Sequence, residues 1–316
     1  MKNFLREIQT KRVVSQNILI IILLVGFLHG LLYVFITPPW WHHDEPGHFL
    51  VARFVADHGY HPALGEAKPD DAFKNELFAS FERTDFFDFV NYTGAEGEEL
   101  VSWVLAPQSP DPPFYYTVAA VPLRLLKNTS LELQVYVLRL LSLSFFVLAL
   151  WASWQLNGIL FAESHPMRWL GTVFLALLPG FVNEMTAIGN SPLGVLFFAF
   201  FLWAGAALLD KGFSWRMLLL LGISAVACYY TNNLTWLPVI VSVPLVILFL
   251  PFRKRLKWVP WVVILFLLVL IPVILFEHDD ARYWYKTNRS AAPVRLEVEQ
   301  ALHGDAVFAL GYQDVV

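Results

Sequence analysis

A single cysteine, Cys228, in 316 residues excludes an intrachain disulfide, so the fold has to be held by helix packing. Charge is also scarce: 15% of the residues are Asp, Glu, Lys or Arg, and the formal net charge is -4. The basic residues lie in short clusters and make no broad positive surface, which excludes nucleic acid as a partner. Internal repeats and low-complexity tracts are absent too. What is abundant is apolar surface. Hydrophobic residues make up 57% and aromatics 16% of the chain, with a mean hydropathy of +0.54. That is too apolar for a soluble domain and reads as an all-α polytopic membrane protein.

Residues 18–36 are uncharged and, at 1.5 Å per residue, reach across a hydrocarbon core of roughly 30 Å. Lys2, Arg6, Lys11 and Arg12 precede them and Thr37-Pro38-Pro39-Trp40-Trp41 follows. No small-x-small cleavage site is present, so the segment reads as a retained signal anchor with residues 1–17 cytoplasmic. Further apolar segments occupy 114–126, 133–156, 169–182, 193–209, 215–230, 234–250 and 258–276. The basic cluster Arg253, Lys254, Arg255 and Lys257 belongs on the cytoplasmic side, like the amino terminus, so the crossings between them must be even in number. The segment 114–126 is the shortest, is interrupted by Pro122 and Arg124, and carries Tyr115 and Tyr116; it reads as an interfacial helix. About seven spans within 18–276 follow. They carry a long outer loop, 37–131, containing interfacial helices at 46–58 and 113–126, and an outer carboxy-terminal tail, 277–316.

The polar residues concentrate at the start of that loop, in His42-His43-Asp44-Glu45-Pro46-Gly47-His48. Pro46 suits the first turn of a helix, and Asp44 or Glu45 can cap it through the helix dipole. A carboxylate beside Trp40 and Trp41 at interface depth is also costly without a task, and the same dipole keeps it ionised as a proton acceptor. His43 and His48 are five residues apart with Pro46-Gly47 between them, so the zinc-helix geometry of metalloproteases is missing and no metal ligand set is assigned. A divalent cation held by Asp44 or Glu45 and phosphate oxygens is chemically compatible, but no cofactor is required.

Other candidates face the same side. Asp111 and Tyr115 belong to a proline-rich segment, 108–116, which is either a re-entry turn with an aromatic anchor or part of a site. Glu184 and Asn190 lie on a short outer turn, where an acid ending a span is costly unless paired. Arg139 lies near the outer end of its span, either snorkelling or meeting a phosphate. Arg53 and His48 are further sources of counter-charge. His29, within the first span, reads as a bond to a neighbouring helix.

Together, Asp44-Glu45 and His48 after a first span, Pro112-Pro113-Phe114-Tyr115-Tyr116, Arg139-Leu140-Leu141-Ser142, and Pro179 ahead of Asn190-Ser191-Pro192 resemble the GT-C superfamily. These are integral-membrane glycosyltransferases that use polyprenyl-phosphate sugars. The order is similar to protein O-mannosyltransferases and lipid A aminoarabinose transferases. It is closer to an uncharacterised bacterial branch whose first loop reads Pro-x-Asp-Glu-Pro-x-His-Phe, and it covers about residues 18–276. The resemblance implies a seven-span module in a bacterial inner membrane, serving the cell envelope. It implies Asp44 as general base toward the acceptor hydroxyl, with Glu45 and His48 shaping the site. It further implies a polyprenyl-phosphate sugar as donor and a lipid, glycan or protein acceptor among membrane lipids. Relatives usually carry an acid near Asn190, so here either Glu184 is the substitute or the site is weakened. They also continue with further spans, so this chain is expected to be a fragment, a minimal module or one that works with a second membrane subunit. Two other functions fit the same residues: a carrier or flippase for a lipid-linked sugar, and an inactive assembly partner of a glycan-synthesis complex.

Overall fold

The computed structural model describes residues 2–63, 66–67, 69–86, 111–232, 235 and 239, all within the compact unit Met1–Leu250. The expected spans at 234–250 and 258–276, the basic cluster 253–257 and the tail 277–316 lie outside the described residues, apart from Thr235 and Val239. The described residues form nine α-helices and no strand: α1 Lys2–Ile36, α2 Glu45–His58, α3 Asp71–Arg83, α4 Phe114–Leu125, α5 Leu131–Leu160, α6 Met167–Leu177, α7 Pro179–Thr186, α8 Ser191–Lys211 and α9 Trp215–Thr231.

Three stretches are long and apolar enough to cross a bilayer: Gln16–Ile36 of α1, α5 and α8. At 1.5 Å per residue they run about 31, 45 and 31 Å, against a hydrocarbon core of about 30 Å. Helices α6 and α9 are apolar but shorter. The two faces of α1 show what surrounds it. Ile20, Leu24, Leu28, Leu32 and Ile36 are 49–72% exposed and recur every fourth residue as an outward apolar stripe, which an aqueous solvent would penalise and lipid does not. The opposite stripe is Ile22, Gly26, Gly30 and Val34, with Ile22 and Val34 buried. A Cβ on Gly26 would run into Leu150, and one on Gly30 into Leu143. Glycines four apart thus bring α1 close to α5, a small-x-x-x-small contact in which van der Waals packing replaces the hydrophobic effect.

The segment 169–182, expected as one continuous span, is broken. Pro179 has no N–H and disfavours helical geometry in the residue before it; Leu178 accordingly leaves the helix at φ -73° and ψ 108°, separating α6 from α7. The break frees carbonyls at the end of α6, and His29 Nδ1 lies 2.9 Å from one of them, Ala176 O. A carbonyl only accepts, so Nδ1 carries the proton and ties the middle of α1 to the break.

Outside the long helices, α2 packs on α4, and α3 lies against the start of α5. Gly59, at φ 84°, ends α2 with its N–H bonded to Val55 O at 2.9 Å. Arg124 of α4 donates to the last carbonyls of α2, those of Val55 and Ala56, supplying positive charge where the helix dipole is negative. These two short helices hold the acidic turn between them and the long helices.

Candidate functional site

The turn between α1 and α2 separates its two acids completely. Glu45 is fully buried and meets Arg139, also fully buried, through two bonds: Arg139 Nε to Oε1 at 2.8 Å and Nη2 to Oε2 at 2.6 Å. The rest of the guanidinium closes on the end of α1. Nη1 donates to Val34 O at 3.2 Å and Thr37 O at 2.5 Å, and Nη2 to Pro38 O at 2.8 Å. A guanidinium has five N–H groups, and all five are consumed. Arg139 therefore neither snorkels nor keeps a donor for a phosphate; both readings of it from the sequence give way to a buried clasp. Burial alone would raise the Glu45 pKa, but the charge and bonds of Arg139, with His42 and the Trp40 N–H, outweigh it and hold the carboxyl below the usual range.

The clasp extends outward to α3. Trp40, at φ 76°, donates its backbone N–H to Glu45 Oε2 at 2.8 Å and its indole N–H to Ser80 Oγ at 2.9 Å. Ser80 in turn donates to Glu132 Oε1 at 2.7 Å, which Arg83 also binds. Left-handed backbone at a bulky residue costs about 1–3 kcal/mol and persists only where surroundings over-determine it; here the buried carboxylate and the serine do so.

Asp44 faces the other way. It occupies the cap position of α2 in a left-handed conformation, φ 54° and ψ 10°, yet its side chain makes no cap bond. Its carboxylate is 48% exposed and meets His43 Nδ1 at 2.9 Å. Beside it, His48 Nδ1 lies 2.8 Å from the Tyr116 hydroxyl, which donates to Asp111 Oδ2 at 3.0 Å. Burial pushes His48 down to about 4 against the pull of Asp44 and Glu45, so it is neutral at pH 7. Burial, and next to it the Asp44 charge, push Asp111 up, opposed by the Tyr116 bond. Burial and then Asp111 raise Tyr116. The cluster thus holds exposed and half-buried acids, a neutral imidazole and a protonated phenol: groups able to accept a proton and hydrogen-bond hydroxyls.

Beneath the cluster, the Tyr115 hydroxyl accepts from Gly189 N at 3.1 Å, and Asn190 Oδ1 accepts from Asn232 Nδ2 at 2.8 Å. These bonds fix the turn between α7 and α8 against α4 and the end of α9. Asn190 therefore serves as a support, while Glu184 is exposed on α7 and makes no side-chain bond among the described residues. Arg53 is held by Asp57 at 2.9 Å and Gln134 at 3.0 Å, on the side of α2 that meets α5. Among the described residues no three His, Cys, Asp or Glu side chains converge as a metal site.

Of the candidates named from sequence, Asp44, His48 and Asp111 share one cluster, and Glu45 and Arg139 form another immediately beneath it. Sequence alone marks neither Tyr116 as a partner of His48 nor Gly189 and Ser80 as part of the site, and it places Trp40 beside the acids only as an interfacial anchor. The one local signal for Tyr116 was its adjacency to Tyr115: neighbours on a helix point about 100° apart, so two consecutive tyrosines serve two different surroundings. In comparisons with known proteins, no family model, curated protein or solved structure matches the chain.

Proposed function

We propose that this protein is a membrane glycosyltransferase of GT-C type, which moves a sugar from a polyprenyl-phosphate donor to an acceptor hydroxyl. The observation that carries the reading is the division of the acidic pair. Glu45 is spent on Arg139, whereas Asp44 is exposed, uncapped and next to His48, Tyr116 and Asp111. Asp44 takes the proton of the acceptor hydroxyl as its oxygen attacks C1 of the sugar; the C1–O bond breaks and the electron pair leaves on the lipid phosphate. A single displacement inverts the anomeric centre.

A lipid-linked donor suits this architecture, because the prenyl tail stays among the helices' lipid while its phosphate reaches polar groups at the membrane surface. The accompanying topology has seven spans, a cytoplasmic amino terminus and the acidic turn on the outer face of a bacterial inner membrane. The acceptor is a lipid, glycan or protein, and a second membrane subunit is compatible with the scheme. Counter-charge for the leaving phosphate comes from neither Arg139 nor Arg53, since both are engaged within the protein.

The test is to incubate membranes containing the protein with labelled polyprenyl-phosphate hexoses and follow label into lipid, glycan and protein fractions. Transfer that falls on the order of 10²- to 10⁴-fold in Asp44→Asn supports the assignment. Full transfer by that variant, or none by the wild type with any hexose, refutes it.

A further inference from the structure

We propose that Tyr116, held by Asp111, is a positioning residue that locks His48 in its Nδ1-protonated form, so that Nε2 presents a lone pair to a hydroxyl of the bound sugar or acceptor. The identity of that hydroxyl rests on the transferase reading; the proton arrangement does not.

The protons available at the phenol fix the tautomer. The Tyr116 hydroxyl has one proton and gives it to Asp111 Oδ2 at 3.0 Å. His48 Nδ1 approaches the same phenolic oxygen at 2.8 Å. With that proton already directed at a carboxylate, the phenolic oxygen can only accept from Nδ1, so Nδ1 bears hydrogen. His48 is neutral because burial disfavours its charged form, and a neutral imidazole with a proton on Nδ1 has its lone pair on Nε2. This inverts the tautomer that an unconstrained histidine prefers.

Nε2 bonds to nothing among the described residues, and what lies across from it is Gly189. A methyl group added there would sit 3.5 Å from His48 Cδ2 and Nε2, with no other atom within 4 Å. Gly189 has no left-handed φ and its N–H is spoken for by Tyr115, so the backbone does not demand glycine. What its missing side chain leaves is room at Nε2. A neutral nitrogen lone pair recognises an O–H donor and repels phosphate, so His48 reads the sugar or acceptor alcohol instead of neutralising the leaving group.

The experiment uses the full chain in nanodiscs with ¹⁵N-labelled imidazole rings, one of the nine histidines being assigned to His48 by its loss in His48→Gln. At pH 7 the wild type is expected to show protonated Nδ1 and bare Nε2, and Tyr116→Phe, with unchanged helicity, to move the population toward protonated Nε2. A wild type with Nε2 protonated, or a Tyr116→Phe protein with unmoved resonances, overturns the relay. Labelled polyprenyl-phosphate hexose is then added, and its retention by the nanodiscs is measured in parallel. Bound donor is expected to shift the Nε2 resonance, with apparent affinity lowered at least tenfold in Gly189→Ala. Donor retained with Nε2 unmoved overturns the hydroxyl assignment. Donor not retained overturns the transferase reading and the hydroxyl assignment with it, while the tautomer result alone decides the relay.

Discussion

Replacing Arg139 by Met leaves the Glu45 carboxylate buried with only the Trp40 N–H, and strands the Val34 and Thr37 carbonyls at the end of α1, while Pro38 O keeps the Trp41 N–H. Breaking a buried pair from one side costs about 3–5 kcal/mol. Glu45→Gln removes two charge-assisted bonds, worth about 1.5–3 kcal/mol each at most, but leaves the guanidinium its three carbonyl acceptors; a loss of about 2–4 kcal/mol is expected. The double variant removes both charges together, so its cost falls short of the sum of the singles by about 2–3 kcal/mol. Unfolding by SDS titration in mixed micelles, read by circular dichroism, measures all three. Losses that add to within about 0.5 kcal/mol, or an Arg139→Met loss below about 1 kcal/mol, refute the clasp as the feature that holds this turn. The same series separates structure from chemistry: transfer activity in Glu45→Gln should track the folded fraction.

In Asp44→Asn the outcome reverses, with the unfolding midpoint unchanged and transfer lost, because the side chain is 48% exposed and makes no cap bond. Acid should destabilise the fold in a defined window. His42 and His48 are both pushed down to about 4 by burial, so between pH 6.5 and 4 the unfolded chain takes up protons that the native one refuses. Stability falls as pH falls, by at most about 3 kcal/mol per histidine, with Asp111, pushed up, opposing this at the low end. His48→Gln should flatten part of that loss, and a titration curve unchanged by it refutes the assignment. Gly30→Leu drives a side chain into Leu143 and Thr186; overpacking of about 1–3 kcal/mol should appear in the same SDS assay. A neutral result there means α1 and α5 are not in close contact. His29→Phe removes the partner of Ala176 O and should cost about 1–3 kcal/mol for an unsatisfied buried carbonyl. Equal stability speaks against His29 completing the broken helix.

What was legible in the sequence was local. Pro46 and Gly59 bracket α2 because their backbone preferences act within one turn, and Pro112-Pro113 and Pro122 confine α4 for the same reason. Long apolar runs gave α1, α5 and α8 because period and length need no knowledge of neighbours. What was not legible depends on distance along the chain. Either acid of Asp44-Glu45 was eligible for a cap or a site, and the choice is made by Arg139, ninety-four positions away, together with a left-handed backbone at Asp44 that no local rule demands. The interruption at Pro179 was visible as a proline, but its tolerance rests on the bond between His29 and Ala176 O, 147 positions apart.

Arg139 lies eight residues into α5 and seizes carbonyls that belong to the last turn of α1 and its exit. Two long helices therefore act as a ruler that fixes how high the acidic turn stands above the hydrocarbon. One extra residue in α1 would lift that turn by about 1.5 Å and swing it by about 100°, out of the guanidinium's grasp. The length of α1 is thus not free to drift with the thickness of the host membrane.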